Sequence, residues 1–159
     1  MIQSYFQAEK QGGFVAIAIG IAACSVGGGV LLKSGSPFYT GLSIIMVLIG
    51  IIQLMVGATV ARRSDLQSDD LEKLLAESPA EFRALEGPRM TAVLRNFVRI
   101  KWLEILFIVL GLIMILLNQE FNFSKGLGAG MFAQGLFMLL FDFFAEKRGK
   151  EYAEFVKTQ

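Results

Sequence analysis

Four long apolar runs, each bounded by charged or turn-forming residues, dominate the pattern of hydrophobic and polar positions. The first extends from Phe14 to Leu32. The second extends from Phe38 to Ala61 and stops at Arg62 and Arg63. The third begins near residue 100 and ends at Leu117, and the fourth runs from Gly126 to Phe144 before Glu146, Lys147 and Arg148. A hydrocarbon core about 30 Å thick takes roughly 20 helical residues. The runs therefore predict spanning helices over residues 13–33, 38–61, 100–118 and 126–145. The fold class expected is an all-α integral membrane protein, a four-helix transmembrane bundle made of two helical hairpins.

Residues 62–98 break the pattern, with acidic, basic and aliphatic side chains in helical spacing. Ser68 before Asp69, Asp70 and Glu72 reads as a helix start. Ser78-Pro79-Ala80-Glu81 has the form of a capping box with proline at the first helical position, opening a second short helix that ends near Gly87. Pro88 opens a third, whose apolar positions Met90, Val93, Leu94 and Phe97 lead without a break into Trp102. This predicts a helical connector between the second and third spans. In the tail, residues 146–159, Tyr152, Phe155 and Val156 share one face, as in a helix lying along the membrane surface.

Small residues thread the first run: Gly12, Ala16, Gly20, Cys24 and Gly28 recur every fourth position. On a helix such positions form a shallow groove into which a neighbour can pack closely. Gly126 and Gly130 make a similar step at the start of the fourth run. Ile21-Ala22-Ala23-Cys24-Ser25 resembles a lipobox, but the apolar run continues to Leu32 and the lead-in lacks a basic cluster, so an uncleaved span is the reading adopted. Sliding the second run onto the fourth pairs Gly41 with Gly126, Gly50 with Gly135, Leu54 with Leu139 and Arg63 with Arg148. A similar slide of the first onto the third pairs Lys10 with Lys101 and Gly20 with Gly111. Both suggest a duplicated hairpin.

Hydrophobic residues make up 54% of the chain, and the net charge of +1 conceals a strong asymmetry. Of fifteen Lys and Arg, only Lys33 and Lys125 fall in the two turns opposite the termini. The positive-inside rule then predicts cytoplasmic termini, a cytoplasmic connector and a multi-pass protein of the inner membrane. One cysteine and no histidine exclude an intramolecular disulfide and zinc sites of the Cys/His type, and remove the commonest general base. Phosphate-binding, dinucleotide and hydrolase motifs are absent from the sequence. Neither an enzyme, a cofactor nor a nucleic-acid partner is expected.

Polar chemistry within the runs reduces to Gln53, Gln134, Glu104 and Asp142. An amide in lipid most often hydrogen-bonds a neighbouring helix. Acids there are costly and are functional candidates by default. Glu104 follows Arg99 and Lys101, so a structural ion pair with one of them is the ordinary expectation. The function expected is contact-based: an accessory or scaffold subunit, or an immunity protein against a membrane-acting toxin, with the lipid bilayer and a protein partner or a second copy as its company. The alternative is a small transporter or channel, with Glu104 and Asp142 as ion-coupling acids.

Overall fold

The computed structural model describes residues 1–159 and consists of four α-helices, α1 (Ile2–Lys33), α2 (Pro37–Glu77), α3 (Pro79–Leu117) and α4 (Phe123–Thr158). Each is long and apolar enough to cross a membrane. Their 32 to 41 residues correspond to about 48–62 Å at 1.5 Å per residue, well beyond a hydrocarbon core of about 30 Å. The excess lies at one end, where both chain termini and the α2–α3 corner meet.

The connector therefore differs from the three short helices expected. α2 runs unbroken to Glu77, α3 starts at Pro79, and Ser78 alone turns the corner in an extended conformation. The Ser78 side chain accepts a hydrogen bond from the Glu81 backbone N–H at 3.4 Å, capping α3. No glycine or proline interrupts residues 58–77, and Ser64 donates its hydroxyl to the Val60 carbonyl within the helix. Pro88 lies inside α3 and does not open it. Phe82, Glu86 and Met90, one turn apart across the proline, are all buried on the same core, and that packing overrides the local break signal.

This charged end has a core of its own, built from Ile2, Tyr5 and Phe6, Leu71, Phe82 and Met90, and Tyr152, Ala153 and Val156. The tail thus packs into a bundle rather than along a surface. Tyr5 and Tyr152 stack at 4.2 Å, and Phe6 sets its edge against both rings. Glu86, wholly buried, accepts two hydrogen bonds from Arg89 at 2.5 and 2.6 Å, and the guanidinium lies over the Phe6 ring. Burial pushes both phenols well above their usual range, with Glu9 adding to it at Tyr5 and Glu86 at Tyr152. A phenol whose folded pKa is raised stabilises the fold fully below pH about 10 and loses that contribution as alkali ionises the unfolded chain first. Stability is expected to fall from about pH 10 upward, with ultraviolet titration registering these two phenols only as the protein unfolds; ionisation of both in the native state would contradict their burial.

In the apolar half, α1 and α2 pack antiparallel through glycine. A methyl group added at Gly13 would lie 2.8 Å from the Gly57 carbonyl, one at Gly20 2.7 Å from that of Gly50, and one at Gly27 3.2 Å from that of Ser43. These positions recur every seventh residue, whereas the expected groove recurs every fourth. Four residues advance a helix by about 400°, so five such positions drift through about 160°, while a seven-residue step drifts by only about 20°. Accordingly Gly20 sits in the seam, Gly12 and Ala16 turn toward Phe141 of α4, Cys24 approaches the Val47 carbonyl at 3.7 Å, and Gly28 faces open space.

α3 and α4 are joined in the same way, Gly111 against Gly128 and Gly135 against Glu104 and Ile108. α2 and α4 run side by side at the centre, while the backbones of α1 and α3 do not approach each other. Gly41 abuts the Phe123 carbonyl and Gly126 that of Phe38, with Gly130 against Ile45. These contacts exchange under the shift that takes Gly41 to Gly126, so an approximate two-fold axis runs along the bundle between the two pairs. Under it Gly27 corresponds to Gly111 and Gly20 to Glu104, one heptad away from the pairing of Gly20 with Gly111 read in the sequence.

Candidate functional site

Three polar side chains of the apolar half approach one another in its inner part. Counted along their helices from the ends opposite the termini, Gln53 and Glu104 lie about 20–24 Å in and Asp142 about 28 Å. α2 brings Gln53 there, and the α3–α4 seam brings the two acids. Glu104 occupies a seam position because Gly135, opposite it, leaves room for the backbones to close.

Glu104 is 4% exposed, and both its carboxylate oxygens are buried without a hydrogen-bond donor. Its carboxyl is within interaction range of that of Asp142, which is half-buried. Gln53 is buried with its amide oxygen unpartnered. The ion pair expected for Glu104 is not formed. Lys101 instead reaches across to Glu146, which Lys150 also binds at 2.7 Å, and Arg99 is exposed with no ion pair. Lys101 is placed for Glu146 because it lies one turn nearer the charged end, where a second carboxylate already sits between two ammonium groups. Those contacts, Lys101 first, hold the Glu146 carboxyl below the usual carboxylate range.

Two cavities adjoin the trio. One of about 190 Å³ is bordered by Glu104, Ile52, Ile100, Leu103 and Phe107; the other, about 100 Å³, by Gln53, Asp142, Ala16, Phe137 and Phe141. Ile52 and Met138 belong to both walls. Two carboxyls and an amide oxygen around apolar space are hard acceptors suited to a proton or a cation, which would relieve the repulsion of two charged acids. Gln134 is half-buried, borders neither cavity and makes no side-chain hydrogen bond. Of the other positions singled out by sequence, Gly20, Gly126 and Gly130 are consumed in contacts between the chain's own helices, and Gly28, with Gly29, remains open.

The buried Glu86–Arg89 pair was not legible as a site from the runs, although its signal exists in the four-residue spacing of Phe82, Glu86 and Met90, which puts an acid on an otherwise apolar stripe. No family model, curated protein or solved structure matches the chain.

Proposed function

We propose that the chain is a multi-pass protein of a bacterial inner membrane, two related hairpins side by side in the bilayer, with the charged end and both termini in the cytoplasm. The belt of exposed large apolar side chains from Phe14 to Val56 and from Val98 to Phe144 supports burial in lipid. Thirteen of fifteen cations lie toward the charged end, which supports the orientation. Within that frame the protein is a small transporter that binds a cation at Glu104 and Asp142. The observation that carries this reading is the Glu104 carboxyl, buried in the apolar half with no cation and no amide or hydroxyl donor, and with a second carboxyl, Asp142, beside it. In proteoliposomes, ion flux is expected to fall about tenfold or more in Glu104→Gln and Asp142→Asn; a wild type without flux, or flux equal in both variants, would remove the reading.

The contact-based reading retains one support of its own. Gly28 and Gly29 of α1 have no neighbour, beside a surface groove between Ser25, Val30 and Tyr39. An accessory subunit or an immunity protein would present such a face to its partner helix. Crosslinking from this face in native membranes that captured neither a partner nor a second copy would eliminate it.

A further inference from the structure

The cavity under Glu104 opens sideways. Ile52, Ile100 and Leu103, at its rim, are 52%, 40% and 63% exposed, so the mouth lies on the flank between α2 and α3 and not at the charged end. All the side chains around Glu104 in this cavity are apolar. A hydrated inorganic ion entering there would shed its water and find few oxygens in exchange. A cation that carries its own apolar cover loses far less.

The acid is also not a requirement of packing. At the equivalent point of the α1–α2 seam Gly20 faces Gly50, and the helices close there on glycine alone. The second pair instead carries a carboxyl at that point, with no cation supplied by the chain. Charge complementarity and an apolar wall together define the missing partner. Beyond Met138, the adjoining space brings the Phe137 and Phe141 rings beside Asp142, and aromatic faces attract desolvated cations.

We propose that the flank groove ending at Glu104 binds a lipophilic organic cation, an ammonium bearing short alkyl or aryl groups, which enters laterally between α2 and α3. The apolar groups lie against Ile52, Leu103 and Phe107, and the charge draws out the Glu104 carboxylate, whose oxygens lie buried behind that apolar wall. This rests on the reading of Glu104 and Asp142 as a cation site and names the ligand class of that site.

The test uses the full chain in lipid nanodiscs and radiolabelled tetraethylammonium. Saturable binding is expected, resistant to an excess of the neutral isostere 3,3-diethylpentane and weakened about tenfold or more by Glu104→Gln. Ile52→Trp, which fills the mouth and keeps the acid, is expected to weaken it likewise, so the prediction does not depend on one variant folding. Uptake that fails to saturate, or that is equal in wild type and both variants, is partition into lipid and overturns the proposal. If tetraethylammonium does not bind while inorganic ion flux still depends on Glu104, the ligand class is wrong and the transporter reading stands. If neither is observed, both fall. Crosslinking that finds the groove filled by a basic side chain of another membrane helix also overturns it.

Discussion

Gly126→Ala is expected to leave little folded protein. A methyl group there would run into the carbonyl of Phe38, and the neighbouring atoms are backbone, which cannot rotate aside. Overpacking a core commonly costs about 1–3 kcal/mol, and a clash between two backbones belongs at or above the upper end of that range. The lesion sits in the first turns of α2 and α4, at the end of their contact opposite the termini, and the two antiparallel pairs must splay there to relieve it. Gly28→Ala provides the contrast. Its methyl meets nothing within 4 Å, and replacing glycine by alanine in a helix interior gains about 0.5–1 kcal/mol. Thermal unfolding in mild detergent, followed by Trp102 fluorescence, should show a large fall in the midpoint for the first variant and none for the second. Equal midpoints would mean that α2 and α4 do not touch at Gly126.

Arg89→Ala carries the second large effect. Glu86 has no exposure, and each of its two carboxylate oxygens accepts a hydrogen bond from Arg89. Removing the guanidinium strands a buried charge and strips the cover from the Phe6 ring. Breaking one side of a buried pair typically costs about 3–5 kcal/mol, whereas replacing both partners by apolar groups is often neutral. The double variant Glu86→Leu/Arg89→Leu should therefore recover most of what Arg89→Ala loses. A single variant costing under about 1 kcal/mol would show that Glu86 does not keep its charge in the folded core.

The four apolar helices are legible because length and hydropathy are local properties of each run. The charged end is not, since its core gathers Ile2 and Phe6, Leu71, Phe82 and Met90, and Tyr152 and Val156 from stretches far apart in the chain. Each stripe alone reads equally well as a helix resting on a membrane surface. Proline and serine mislead for a related reason: Pro88 and Ser68 are strong local punctuation, yet both lie within helices whose faces are already committed to a shared core. The acids stand out as anomalies in apolar runs. That Glu104 lacks a cation, and that Gln53 approaches the acids, depends on which helices are neighbours, and nothing in a single run encodes that. The small-residue groove shows the limit of spacing itself, because Gly12 and Gly28 share a period with Gly20 but not its direction.

The two antiparallel pairs belong to one chain, and this frees each from copying the other. Were they separate identical subunits, a carboxyl introduced opposite Gly135 would appear twice, once on either side of the symmetry axis, and the assembly would carry the cost of burying two acids. Joined in one chain, one pair closes on Gly20 while the other carries Glu104 at the matching point. A single chain of four helices can thereby place a costly buried acid once, in one seam, and leave the matching seam free of it.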